Sequence, residues 1–414
     1  MDPKIAHAYA ARIEAELTQN ILPFWIQHAV NREHGTIEGS LTNDLRKDPS
    51  AARGALLSSR VLWTYSSAYR KYHNPEYLDM AHLAYADLEN NFRDQEFGGY
   101  FWSIGSDGKP LQTRKQVYGQ AFAIYALAEY HSASGLSAPR QQAIELFQLL
   151  ESHAKDPEAG GYFEAFSREW KNIDDVRLSV VDLNEPKSQN THLHVMEAFT
   201  NLMRVWPDAK LKQSQTELIE IMLGKILSPT THHLNLFFAK DWTPRSDAVS
   251  YGHDIEASWL LMEAAEVLGD ATLLSRLTPI IQKIADVTLV EGLDSDGAIY
   301  NEGRAGKITD SNKEWWPQAE AVVGFLNAYQ YCNDERYLQA ALRCWDFIES
   351  KLVDKEHGEW FRGVTRDGSL LQYQLKVSFW KCPYHNGRTC IEAASRLRAI
   401  AAAAQSSKRP FLFA

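Results

Sequence analysis

The sequence predicts an all-α protein, a closed (α/α)6 barrel of twelve helices with small β-hairpins in the long loops at the active-site end. Three observations carry this expectation. Twelve helix-length segments succeed one another with helical apolar periodicity. Short turns alternate with long connectors. A related phrase recurs inside the long connectors, as expected when one supersecondary unit is copied around an array.

Helices are expected over 4–19, 53–72, 75–93, 114–134, 137–153, 190–206, 210–226, 253–268, 271–288, 314–330, 334–352 and 386–404. In the eighth of these, Ile255, Trp259, Met262 and then Leu268 recur at three- to six-residue steps, a helical stripe and not a strand alternation. Links that follow an even-numbered helix are short and carry turn signals: His73-Asn74-Pro75, Trp206-Pro207-Asp208 and Gly269-Asp270. Short links make antiparallel helix pairs. Links that follow an odd-numbered helix are long, and they hold Gly98-Gly99-Tyr100-Phe101 before Asp107-Gly108, Gly160-Gly161-Tyr162-Phe163, and Gly358-Glu359-Trp360-Phe361 before Asp367-Gly368. Aromatic residues around an Asp-Gly turn predict β-hairpins. Six pairs with all long loops at one end place the even helices inside and the odd helices outside. No Pro- or Ser-rich linker interrupts the pattern, so residues 1–414 are expected to form a single domain.

Composition bounds the function. Hydrophobic residues at 45% and charged ones at 23% describe a globular chain with enough apolar surface for a sizeable core. A formal charge of -10 disfavours nucleic acid or an anionic membrane as partner, since both select basic surfaces. The first residues, MDPKIAHAYAARIEAEL, mix charges into apolar positions and form neither a signal peptide nor a membrane span. Cys332, Cys344, Cys382 and Cys390 show no disulfide spacing and read as reduced thiols, so a cytoplasmic location is expected. Sequence says nothing of oligomeric state.

Chemically active residues cluster at the starts of even helices: Arg60, Tyr118, Asn190, His194, His253, Glu256, Trp316, Glu320 and His385. Inner helices that begin at the loop end aim unsatisfied N–H groups and positive dipole ends at one cavity. That field favours a developing anion and disfavours imidazolium, so a histidine there stays neutral and basic near pH 7. His253, Glu256 and Trp259, spaced three apart, share one face of the first two helical turns, a surface suited to a sugar. The alternative for that face is a capped helix with His and Trp in the core. Trp316 and Glu320 repeat the pairing one turn apart, and a buried acid beside tryptophan needs a polar partner. Pro383 sets the approach to His385, which is either a cavity residue or a helix cap. His192 and His194 cannot share a helical face, so one is expected to meet the cavity and the other to pack outward.

No H-E-x-x-H, Cys/His knuckle, nucleotide-binding glycine motif or G-x-S-x-G is present, so neither metal, nucleotide cofactor nor serine nucleophile is expected. The chemistry falls to side chains.

Asp182-Leu183-Asn184-Glu185, Asn190-Thr191-His192-Leu193-His194, Tyr251-Gly252-His253-Asp254-Ile255-Glu256, Glu314-Trp315-Trp316-Pro317-Gln318-Ala319-Glu320 and Lys381-Cys382-Pro383-Tyr384-His385-Asn386 together resemble the cellobiose 2-epimerases of the N-acylglucosamine 2-epimerase superfamily. The likeness runs from Arg60 to the last helix. It implies a six-hairpin barrel and cofactor-free inversion at C2 of a reducing-end aldose, cellobiose or a related β-1,4-linked disaccharide. It further implies His253 and His385 as the acid/base pair, His194 in ring opening, and Arg60 and Asn190 on sugar oxygens. Tyr118, Glu256, Trp259, Trp316, Glu320 and Trp380 would line the pocket, with the second ring near Trp380. Gln189 departs from the apolar residue usual in the resembled enzymes.

The residues themselves agree with such chemistry. Removing the weakly acidic C2 proton of an open-chain aldose needs a positioned base and donors for the enediolate oxygens. Reprotonation at C1 instead yields a ketose, so a minor isomerase activity is expected. A monosaccharide 2-epimerase or mannose isomerase would share the histidines. A glycoside hydrolase using Glu256 and Glu320, or a non-catalytic sugar-binding protein, would leave the histidines without a role.

Overall fold

The computed structural model describes residues 1–406; the final stretch of the expected domain, 407–414, lies outside the described residues. Its α-helices are α1 Pro3–Ala15, α2 Leu22–His28, α3 Ala55–Tyr72, α4 Pro75–Asp87, α5 Val117–Ser134, α6 Ser137–Leu149, α7 Gln189–Val205, α8 Ala209–Ile221, α9 Tyr251–Leu268, α10 Ala271–Val287, α11 Trp315–Cys332, α12 Glu335–Phe347 and α13 Tyr384–Ser406. The inner helices α3, α5, α7, α9, α11 and α13 pack each on the next, and α13 packs back on α3. The ring is closed. Outer helices lie against it, with α1 on α13.

Local chemistry separates the layers. Inner helices touch protein on all sides, so residues 117–130 of α5 are buried without a break; Gly119, Ala121, Ala123 and Ala126 let neighbours approach closely. Outer helices bury one stripe: α12 turns Tyr337, Leu338, Ala341, Cys344 and Trp345 inward and leaves Glu335, Arg336, Gln339 and Arg343 exposed. Short inner-to-outer turns end α3, α5, α9 and α11 on left-handed residues, His73, Gly135, Gly269 and Asn333. Asn74, Asp208, Asp270 and Asp334 then cap the outer helices by accepting from first-turn N–H groups.

Periodicity did not foresee one feature. The outer helices end in a π-helical turn, Glu16–Ile21, Leu88–Phe92, Leu150–Ala154, Met222–Ile226, Thr288–Gly292 and Ile348–Leu352. A π turn holds one more residue per hydrogen-bonded loop than an α turn, and the apolar stripe continues through it, so sequence reads it as ordinary helix. After five of these turns one extended residue bridges the returning chain: Arg93 to Tyr100, Lys155 to Tyr162, Leu227 to Leu234, Leu293 to Ile299, Val353 to Trp360. Three of the five are the aromatic phrases read from sequence. Around Asp107-Gly108 the expected hairpin forms, Ser103–Ile104 against Pro110–Gln112. The Gly160 phrase forms no local hairpin; Ala165–Phe166 pairs with Lys115–Gln116 of the preceding loop.

Four of these five returns are clamped by the fourth residue of an inner helix. Gln120 accepts from Tyr100 N at 2.9 Å, His192 Nε2 from Tyr162 N at 2.8 Å, Asp254 from Leu234 N at 2.8 Å, and Gln318 from Ile299 N at 2.8 Å. Gly161, at φ +76, lies under His192 and Trp242, where an added Cβ would come within 2.6 Å of either; only glycine fits this left-handed, crowded spot. Buried ion pairs tie four of the returns as well, Lys115 to Asp94 and Lys187 to Asp156, each at 2.7 Å, Lys313 to Asp294 at 3.0 Å, and Lys376 to Asp354. Breaking such a pair leaves a charge stranded without water. The loops are therefore pinned to the ring.

A candidate active site at the loop end of the ring

An inner cavity of about 170 Å³ opens into an outer cleft of about 530 Å³. Asn190, His253, Glu314 and Trp316 line both. The inner cavity brings together Arg60 from α3, Tyr118 from α5, Asn190 and His194 from α7, His253 and Glu256 from α9, Trp316 from α11, and Trp380 and His385 at α13. Trp316 touches two histidines, its ring centroid 4.7 Å from His253 and 5.6 Å from His385. Tyr118 stands edge-on to His194 at 5.0 Å.

Two expected lining residues stand elsewhere. Trp259 and Glu320 do not border the inner cavity but lie behind it, where Trp259 Nε1 donates to Glu320 at 3.1 Å and Glu320 accepts from His385 Nδ1 at 2.7 Å. A shared helical face in sequence does not fix exposure to the cavity: Trp259 lies further along α9 than His253 and Glu256, while Glu320, level with Glu256, turns its carboxylate to His385 and Arg388. Of the histidine pair on α7, His194 meets the cavity. His192 turns away from the cavity as the loop clamp, donating through Nδ1 to Ser188 O at 2.7 Å and packing fully buried against Tyr162 and Trp242.

Hydrogen bonds set the tautomers. A carboxylate accepts only, so His385 gives its Nδ1 proton to Glu320, and His194 gives its own to Glu197 at 2.8 Å. Each then presents Nε2 as a base. His253 Nδ1 meets the Ser250 hydroxyl at 2.8 Å, which can donate or accept, so this ring is free to present either form. Burial pushes the His253 imidazolium down to about 3, with further lowering from His194. It also pushes His385 well below the usual range, helped by the cations Arg60 and Arg388, and lowers His194 against the pull of Glu197. Neutral imidazoles result, as expected.

Sequence reasoning missed Arg388. It is buried at the centre of the ring, one helical turn below His385, and its guanidinium binds Glu256 at 2.6 Å, Glu320 at 2.7 Å, and both Glu197 and the Tyr384 hydroxyl. The detectable signal was register: Glu256 and Glu320 occupy the same position in α9 and α11, the sixth residue of each, and acids at one level require a shared cation. Burial alone would raise Glu197, but Arg388, His194 and Tyr384 bring it down to about 2. Burial and Glu320 raise Glu256 well above the usual range, against the pull of Arg388. Glu256, Glu320 and His385 present donors within 4.8 Å of one another, the spacing of a metal site. Arg388 occupies the position a cation would take between the two carboxylates, so this cluster is already neutralised.

Arg60 has no such partner. Its hydrogen bonds go to the Tyr118 hydroxyl at 2.6 Å, the Trp380 carbonyl at 3.4 Å and the Cys382 sulfur, none of them a carboxylate, and its plane rests on Phe122 at 4.3 Å. A buried cation without a counter-ion is costly, and an anion arising in the cavity would relieve it.

Residues 35–386 match the N-acylglucosamine 2-epimerase (GlcNAc 2-epimerase) family. The chain is 48% identical to a cellobiose 2-epimerase of Bacteroides fragilis over 92% of this chain and 97% of that protein. The structure of cellobiose 2-epimerase from Spirochaeta thermophila superposes with a TM-score of 0.88 at 40% identity, covering 96% of this chain and 98% of that one. A D-mannose isomerase structure, at 22% identity and TM-score 0.83, shares the fold, over 93% of this chain and 97% of that one. Ring, cavity and sequence likeness converge: the chain belongs to the N-acylglucosamine 2-epimerase family, within its cellobiose 2-epimerase group.

Proposed function

We propose that the protein inverts C2 of the reducing-end sugar of cellobiose or a related β-1,4-linked disaccharide, without a cofactor. The observation that carries this reading is the convergence of His194, His253 and His385 with the unpaired cation Arg60 on one small cavity. The open-chain aldose loses its C2 proton to one imidazole, and the C–H electron pair moves into the C1 carbonyl to give an enediolate. Arg60 and the Tyr118 hydroxyl stabilise that anion. The second imidazole delivers a proton to the opposite face, and the electrons return to C2. One proton is taken and one given.

Turnover requires one imidazole to be protonated while the other is neutral, against the burial that lowers both. Glu320 on Nδ1 makes His385 the better holder of that proton, whereas His253 has only the Ser250 hydroxyl behind it. Glu256 leaves Oε2 buried and unpartnered at the cavity, placed to hydrogen-bond a sugar hydroxyl. His194, held by Glu197, is positioned for proton movement during ring opening. Trp316 and Trp380 offer aromatic plates for pyranose faces. Delivery of the proton to C1 would give the ketose as a minor product.

Cavity shape favours a disaccharide over a monosaccharide. The inner chamber is small, and the adjoining cleft has the size of a pocket for a larger ligand. A hydrolase is disfavoured because Glu320 does not line the cavity and both Glu256 and Glu320 bind the same Arg388 nitrogen, which leaves no space for a glycosidic bond between them. All four cysteines are free thiols, which fits a cytoplasmic site of action, and no helix among the described residues is long and apolar enough to cross a membrane. Incubation with cellobiose in heavy water should place deuterium at C2 and form 4-O-glucosylmannose. Release of free glucose, or turnover on glucose and mannose but not cellobiose, would overturn the assignment.

A further inference from the structure

Three polar atoms at one wall of the outer cleft are buried without a hydrogen-bond partner: Glu164 Oε1, Gln189 Nε2 and Asn190 Oδ1. Leaving such a group unmatched costs about 1–3 kcal/mol, so a cluster of them on a cavity wall marks a place where a ligand completes the bonding. Glu164 and Gln189 are both more than nine-tenths buried, at 3% and 1% exposure. Neither is a loose surface group. Glu164 is fixed by Thr191, whose hydroxyl donates to Oε2 at 2.7 Å, and by backbone bonds on both sides, its N–H to Pro186 O at 3.1 Å and its C=O from Val117 N at 2.9 Å. Gln189 opens α7, with its own N–H tied to Leu236 O at 2.9 Å. Asn190 borders both the inner cavity and the cleft, so this wall begins where the reacting sugar ends.

We infer that Glu164 and Gln189 form a specificity-determining pair that hydrogen-bonds hydroxyls of the second, non-reacting ring of the disaccharide. This rests on the proposed disaccharide reading and extends it to two side chains that the acid/base chemistry does not use. The arrangement suits a polyol edge. The glutamate oxygen accepts from one hydroxyl, and the glutamine amide donates to another. An apolar side chain at position 189 would leave that second hydroxyl without a donor.

The test uses Gln189→Met and Glu164→Gln in the full-length protein, with thermal melting to verify the fold. Each variant should raise KM for cellobiose about tenfold, the loss expected for one hydrogen bond, while kcat stays within about twofold. Cellobiose analogues lacking single hydroxyls on the non-reducing ring supply the second readout. One analogue should bind wild type about tenfold more weakly by calorimetry and bind Gln189→Met no more weakly than cellobiose does. Unchanged KM, a fall in kcat at unchanged KM, or an equal penalty for every analogue in wild type and variant would each overturn the inference. Absence of C2 labelling by wild type would instead remove the epimerase reading, and calorimetry on cellobiose would still decide whether the pair reads the second ring.

Discussion

Two layers of the same ring behave differently. At the loop clamps the inner helices repeat themselves: Gln120, His192, Asp254 and Gln318 occupy equivalent positions and do the same job on the backbone of the returning loop. At the neighbouring cavity positions repeat but residue types do not: Tyr118, Asn190, Trp316 and His385 are the second residues of their helices, and Arg60, His194 and Glu256 the sixth. Repetition around the ring marks what holds the barrel together, and broken repetition marks what it does. Histidine illustrates both, since His192 and His194 sit two residues apart on α7 and fall in different layers.

Substitutions can break this contrast. The largest effect is expected in the unrepeated layer: His253→Ala or His385→Ala should lower the rate of C2 deuterium exchange by about 10³-fold, within the range for a positioned acid or base. Circular dichroism and melting temperature should stay close to wild type. A variant that unfolds, or one that keeps its rate, would show that the layers are not separate.

An intermediate effect is expected where one clamp is also an ion pair. His233 donates to Asp254 at 2.7 Å and lies 3.4 Å from Glu291. Burial opposes its charge, but the hydrogen bond and charge of Asp254, aided by Glu291, raise its pKa overall. A raised folded-state pKa stabilises the fold fully below the unfolded value, near 6.5, and that contribution is lost as pH rises through the folded value. His233→Gln should therefore melt lower than wild type by its largest margin below about pH 6.5, and the gap should close in alkaline buffer. A gap that widens with pH would reverse the assigned role. The smallest effect belongs to His192→Gln, which installs the residue already used at Gln120 and Gln318. Melting should shift by less than the equivalent of about 1 kcal/mol, and kcat should change less than twofold, because one neutral acceptor replaces another. A large loss of kcat would move His192 into the chemical layer.

The repeating layer was legible in sequence where its signals are local. Turn residues such as Asn74-Pro75 and Gly269-Asp270, and the aromatic phrases at Tyr100, Tyr162 and Trp360, gave helix order, pairing and the loop-bearing end. The same bridges at Leu234 and Ile299 lack the aromatic phrase and passed unread. The cavity residues were legible through helix starts, since position near an N-terminus translates directly into nearness to the loop end. Depth was not. Trp259 and Glu320 carry the same residue types as true lining groups, and only packing shows that they support His385 from behind. Arg388 stayed hidden because its partners Glu197, Glu256 and Glu320 come from three other helices, and a many-centred ion cluster has no spacing along the chain.

Closure of the ring by α13 on α3 has a bearing on biosynthesis. This helix emerges from the ribosome after its five inner neighbours, and it brings both His385 and the guanidinium of Arg388. Until it docks, Glu197, Glu256 and Glu320 have no guanidinium to gather round, so the ion cluster beneath the cavity cannot form. The same segment that completes the histidine pair completes that cluster, which couples the birth of activity to the final act of assembly.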